Sequence, residues 1–177
     1  MKKVLIGFSL LLVFMFIYFL EVCFFPFFTI AGIIPNLFIV FILFVGLFAN
    51  SAFAMGFAVI GGLLIDSVHS PFIGGTAIML TIIAFLASYF DRNFSKENRI
   101  TIILMVAGAT AIYEVGYYFI RYAIIGFDLE IFAAMKIVMI EIVYNVLISI
   151  IIYPLIQKAG FAMDRVFKRN NMLTRYF

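Results

Sequence analysis

Six long apolar runs, separated by short polar segments, constrain the fold of this chain more than any other feature. Hydrophobic residues make up 67% of its 177 residues and charged residues only 12%. An α-helix satisfies its own backbone hydrogen bonds, so apolar runs of about 20 residues are typical of membrane-spanning helices. The alternating pattern of a membrane β-barrel is not visible. The sequence therefore predicts an all-α polytopic membrane protein, a six-helix transmembrane bundle with spans at 4–25, 33–49, 51–67, 73–90, 100–122 and 132–157.

The second and third predicted spans are shorter than a full crossing requires. A complete span needs about 20 residues, which these two runs do not reach. They are expected to tilt less, to thin the bilayer locally, or to enter the membrane as a tight helical hairpin through Ala49, Asn50 and Ser51. The residues alone leave these alternatives open.

The basic residues predict the orientation of the bundle. Of the twelve lysines and arginines, ten fall in three places: the N-terminus, the loop at 91–99 and the segment after residue 157. With six spans these places share one side, which the positive-inside rule assigns to the cytoplasm. We therefore predict two regions, a six-span domain at 1–157 and a basic cytoplasmic tail at 158–177. The tail suits a lipid surface better than nucleic acid, so no nucleic-acid partner is expected.

The third run combines small residues with an acid in an otherwise apolar background. If it is helical, small residues spaced by four fall on one stripe. Small side chains let a neighbouring helix backbone approach closely, so the stripe is predicted to pack against another helix of this chain or of a partner. The acid that ends the stripe is predicted to have a specific partner. The candidate packing and interface residues are Ala54, Ala58, Gly61, Gly62 and Asp66, followed in the next turn by Pro71 and Gly74.

Five further polar side chains lie within or beside the predicted spans. Polar groups at membrane depth are usually paired or functional, and interhelical hydrogen bonds contribute about 0.6–2 kcal/mol each. We interpret the five as a polar seam that fixes the register of the bundle. For each acid, an interfacial or locally paired side chain is the alternative to a transport or catalytic role. The seam candidates are Glu21, Asn36, Glu114, Glu141 and Asn145.

Motifs that carry catalysis are missing from the chain. It contains no phosphate-binding glycine loop, dinucleotide fingerprint, HExxH, GxSxG or CxxC. One cysteine and one histidine are too few for a disulfide or a histidine-rich metal site. His69 follows Asp66 by three residues, but the sequence places no nucleophile beside them. We therefore predict a protein that is not an enzyme and that binds no cofactor or metal.

Four motifs, in this order, give the chain a family resemblance. They are a Pro-Asn-Leu triplet at 35–37, a glycine-rich helix at 56–66, a Pro-x2-Gly turn at 71–74 and a last span ending YNVLISIIIYPLI. In length, number of spans and motif order, the chain resembles the rod shape-determining MreD family. That family often has aspartate after the proline, where this chain has Asn36.

The resemblance implies a non-enzymatic component of the bacterial cytoplasmic (inner) membrane that takes part in cell elongation. MreD proteins associate with MreC and, with it, link MreB filaments to RodA and a class B penicillin-binding transpeptidase. Membrane lipids are the other expected partners. The alternative is the substrate-binding membrane subunit of an energy-coupling-factor vitamin transporter, which is similar in size and number of helices. Its first helix commonly presents an alanine-x3-alanine face, which the first span here lacks.

Overall fold

The computed structural model describes residues 2–70, 72–93, 98–126 and 130–167. Within these ranges the regular elements are helices, which confirms the predicted all-α, six-helix bundle. Four helices are long and apolar enough to cross a membrane, and α2 and α4 are shorter apolar helices. A π-helical turn at Leu20–Phe24 and a 3-10 turn at Phe25–Phe27 follow the first helix. The helices are α1 Lys2–Phe19, α2 Leu37–Phe48, α3 Ser51–His69, α4 Gly75–Asn93, α5 Arg99–Ile125 and α6 Ile131–Phe167.

The short helix α2 is the centre of the bundle. Every residue of α2 except Phe41 is buried, and the helix contacts each of the other five helices. A helix that is apolar on all sides, as LFIVFILFVGLF is, is stable either in lipid or inside a bundle, and here the other helices surround it. The second predicted span is therefore a core element, four residues shorter at its start than the predicted 33–49.

Helix α4 packs closely against both α2 and α3, and its contact with α2 is made through Gly46. At Gly46 of α2, an added Cβ would lie 2.6 Å from the Cβ of Ala87 and 2.8 Å from the carbonyl oxygen of Ala84. The Ser88 hydroxyl donates to the Gly46 carbonyl at 3.0 Å, so a side chain on α4 also bonds the backbone of α2. In lipid, such close backbone approach replaces the missing hydrophobic drive with dispersion contacts.

A tight turn at Ala49 and Asn50 joins α2 to α3, which is the connection that a helical hairpin, one of the three predicted alternatives, requires. The Asn50 side chain accepts from the Ala52 N–H at 3.3 Å and so caps the start of α3. This capping geometry is the usual reason that asparagine precedes a helix.

The last helix continues past its predicted end at 157. It runs through Pro154 to Phe167 and is about 55 Å long, well beyond the ~30 Å hydrocarbon core. Its final turns pack against the residues on either side of the turn between α2 and α3. An added Cβ on Gly160 would lie 2.6 Å from the Phe48 ring of α2. The rings of Phe167 and of Phe53 in α3 lie 4.8 Å apart. The division into a span domain and a tail at 157/158 remains a prediction, and residues 168–177 lie outside the described ranges.

Candidate functional site

The Asp66 carboxylate caps the start of α4. Its Oδ2 atom accepts from the backbone N–H groups of Gly74 at 2.9 Å and Ala77 at 3.3 Å, and its Oδ1 atom accepts from Thr76 at 3.2 Å. Asp66 is 1% exposed, although it lies near the end of α3. The first N–H groups of a helix have no partner within it, and the positive end of its dipole attracts an anion. The predicted partner of this acid is thus a helix start in the same chain.

The turn between α3 and α4 has the backbone shape that this cap requires. Gly74 has a φ of +110°, a conformation that residues with a side chain rarely adopt. The Ser70 hydroxyl lies 3.0 Å from the Tyr117 hydroxyl of α5, which ties the end of α3 to a third helix. Pro71, the other turn residue predicted from the sequence, lies outside the described residues.

The small-residue stripe of α3 faces other helices of this chain. All of its members are buried. A Cβ on Gly62 would lie 2.3 Å from the Cα of Ala77, and a Cβ on Gly61 would lie 2.9 Å from the Phe14 ring of α1. The structure therefore places Gly62 against α4 and Gly61 against α1. A role for the stripe in binding another protein remains a proposal.

The five seam residues surround the start of α2. Glu21 accepts from the Leu37 N–H at 2.5 Å, and the Asn145 oxygen accepts from the Asn36 N–H at 2.9 Å. Asn36 in turn accepts from the Ile39 N–H at 3.4 Å, as an N-cap does. Non-helical backbone inside a membrane bundle is tolerated only where protein groups satisfy it. Glu21, Asn36 and Asn145, three of the five seam candidates, supply those hydrogen bonds.

Two acids complete this polar cluster. Glu114 lies in α5 and Glu141 in α6, and their side chains are close enough to interact electrostatically. Glu141 is 5% exposed, and its Oε1 atom has no hydrogen-bond partner in the described part of the chain.

The sequence analysis did not predict three residues of the two capping sites, which are Thr76, Thr110 and Tyr113. Thr110 accepts from the Asn145 side-chain amide at 3.0 Å, and the Tyr113 hydroxyl lies 3.5 Å from that of Thr76. Thr110 and Tyr113 precede Glu114 by four and one positions on α5, and the four-residue spacing puts Thr110 on the face of that acid. That spacing was the signal by which Thr110 could have been found.

Replacing Asn145 with alanine is expected to lower the free energy of unfolding by about 1–3 kcal/mol. The Asn36 N–H, which is partly buried, would lose its acceptor. Ser149, one turn along the same helix and 1% exposed, is the matched control. Its hydroxyl donates only within α6, to the Val146 carbonyl, so Ser149→Ala should change stability little. Thermal unfolding in detergent measures both, and equal effects would contradict a role for Asn145 in capping.

The site has the chemistry of structural capping. Among the described residues, no group of three or more histidine, cysteine, aspartate or glutamate side chains is arranged to hold a metal ion. Asp66 accepts from backbone N–H groups at the start of α4, and Glu21 and Asn145 accept from those at the start of α2. Fold and site together define a small integral membrane protein whose polar residues serve its own helical bundle.

The chain belongs to the MreD family, since residues 1–159 match the family described as rod shape-determining protein MreD. This confirms the resemblance found in the sequence motifs. No curated protein and no solved structure matches the chain. Membership assigns the protein a role in rod shape determination, as an integral inner-membrane protein.

Proposed function

We propose that the protein is a non-enzymatic membrane scaffold of the bacterial cell-elongation machinery. In this role it binds MreC directly and, with MreC, organises RodA and a class B penicillin-binding transpeptidase above MreB filaments. The family match over residues 1–159 is the observation that carries the proposal. It also favours this function over the vitamin-binding subunit of an energy-coupling-factor transporter.

Two features of the structure support a scaffold. Most of the described residues belong to apolar helices of the bundle, and such helices suit assembly with other membrane proteins. The capping residues fix short helices in one arrangement, and a rigid bundle presents its outer faces to partners in a constant geometry. A scaffold acts through coupling free energy between its partners, so its loss should separate them without removing the reactions they perform.

Depletion of the protein tests the proposal in a rod-shaped host. We expect cells to become round while purified synthases keep their peptidoglycan activity, because the enzymes lose their organisation and retain their chemistry. Cell shape is measured by microscopy, and re-expression of the wild-type chain is the control. Cells that stay rod-shaped after complete depletion would contradict the proposed function.

The proposed orientation places both termini and the loop at 91–99 in the cytoplasm. A cysteine introduced at Ser95 in a Cys23→Ser background is expected to resist a membrane-impermeant thiol reagent in intact cells. A cysteine at Ile73, which is 72% exposed in the turn before α4, should react. Labelling at position 95 with protection at position 73 would reverse the orientation.

A further inference from the structure

A pocket beside the first turn of α5 combines one positive charge with an apolar lining. It has a volume of about 190 Å³ and lies between the start of α5 and the part of α6 around Pro154. The Arg99 side chain is exposed, and its guanidinium lies 6.0 Å from the centre of the Tyr153 ring. The other lining residues that matter here are Ile102, Ile103, Ile150 and Pro154.

We propose that this pocket binds a phospholipid with an anionic headgroup. The phosphate would contact the Arg99 guanidinium, and part of an acyl chain would fill the apolar volume. The proposal is independent of the scaffold function and of the orientation of the chain.

The position of the pocket fits a lipid headgroup. Tyr153 lies 22 residues after the start of α6, about 33 Å along the helix, and therefore close to one boundary of a ~30 Å hydrocarbon core. Arg99 is the first residue of α5, so its charge lies beside the ring at the same boundary. Planar guanidinium groups bind phosphate with paired hydrogen bonds and stack on aromatic faces, and Arg99 is placed to do both.

Local electrostatics also favour an anion at this position. A cation at the N-terminus of a helix is unfavourable, because the helix dipole is positive there. Arg99 begins the 27-residue helix α5, so a phosphate would neutralise both the side chain and the helix end. The charge of the pocket is thus complementary to an anionic lipid.

The shape of the pocket favours an acyl chain over a protein helix. An α-helix is about 10 Å wide, so a volume of about 190 Å³ would hold only about 2 Å of its length. An apolar cavity of about 150 Å³ is enough for a benzene-sized ligand, so this one can hold several methylene groups. Pro154, which cannot donate to the Ile150 carbonyl, lies in the wall that α6 gives to the pocket.

Lipid binding to the purified full-length protein in a non-ionic detergent tests the headgroup contact. Native mass spectrometry would compare dioleoyl phosphatidylglycerol with dioleoyl phosphatidylcholine. Arg99→Ala is expected to weaken phosphatidylglycerol binding about five-fold and to leave phosphatidylcholine binding unchanged. Arg165→Ala removes the same charge from the exposed end of α6 and is the control. Equal binding of the two lipids, or equal losses in the two variants, would overturn the proposal.

The acyl-chain contact needs its own variants. Ile103→Phe fills the pocket and keeps Arg99, so phosphatidylglycerol binding should fall, whereas Ile100→Phe on the 66% exposed neighbouring residue should have no effect. Soluble glycerol phosphate should not displace the lipid, and displacement would show headgroup binding alone. A photoreactive residue at position 150 should crosslink lipid in cell membranes. Crosslinking to a protein instead would show that a partner occupies the pocket and would overturn the lipid assignment.

Discussion

Gly62→Ala is expected to destabilise the bundle by about 1–3 kcal/mol, even though alanine is the better helix former. The new methyl group would lie 2.3 Å from the Cα of Ala77 and 2.7 Å from its nitrogen. Both atoms belong to backbone, which cannot rotate away as a side chain can. The two helices must therefore separate, and many weak contacts between α3 and α4 are lost together.

Gly56 on the same helix is the matched control. No atom lies within 4 Å of the Cβ that alanine would add there, so Gly56→Ala should be neutral or stabilising by up to about 1 kcal/mol. Thermal unfolding in detergent and the amount of protein in the membrane are the measurements. Gly62→Leu should show the same defect more strongly. Equal stabilities of the two alanine variants would mean that α3 and α4 are not packed through Gly62.

The sequence predicts the packing face of α3 well, because small residues spaced along a helix indicate where a neighbouring helix can approach closely. Residues spaced by four on α3 can lie on one face only if the segment is helical, and all members of the stripe are buried. The corresponding glycine of α2 was missed. Gly46 stands alone in a continuous apolar run, and its partners on α4, Ala84 and Ala87, are recognised only when the two helices are seen together.

The sequence indicates only part of what fixes the start of α2. The Pro35-Asn36 pair marks the start locally, and Asn36 caps the helix. The residues that follow are apolar on every side, so periodicity does not show what surrounds the helix. The surroundings are fixed by contacts from distant parts of the chain. Asn145 is 109 positions from Asn36, and a single sequence carries no sign of that pairing.

The continuation of α6 past residue 157 is set by tertiary contact in the same way. Pro154 and Lys158 lie at the predicted end of the sixth span, and neither indicates how far the helix runs beyond it. The helix continues because Phe161 and Phe167 pack on the rings of Phe48 and Phe53.

Asp66→Leu is expected to lower stability by about 3–5 kcal/mol, the largest effect of any side chain in the two capping sites. It leaves three backbone N–H groups at the start of α4 without their acceptor, where each buried unsatisfied group costs about 1–3 kcal/mol and water relieves part of the loss. It also removes the negative charge at the positive end of the α4 dipole. Asp66→Asn keeps one oxygen and should lose less, about 1–2 kcal/mol.

The same variants test whether the α3–α4 hairpin supports partner binding. If the chain binds MreC as proposed, the MreC recovered with each variant at matched expression should fall in the order wild type, Asp66→Asn, Asp66→Leu, because a displaced α4 changes the surface that the bundle presents. Glu130→Leu replaces an exposed acid just before α6 and is the control. If Asp66→Leu unfolds at a lower temperature yet recovers MreC as well as wild type does, Asp66 serves the hairpin alone. If its unfolding temperature is also unchanged, the carboxylate does not hold the start of α4 in the membrane protein.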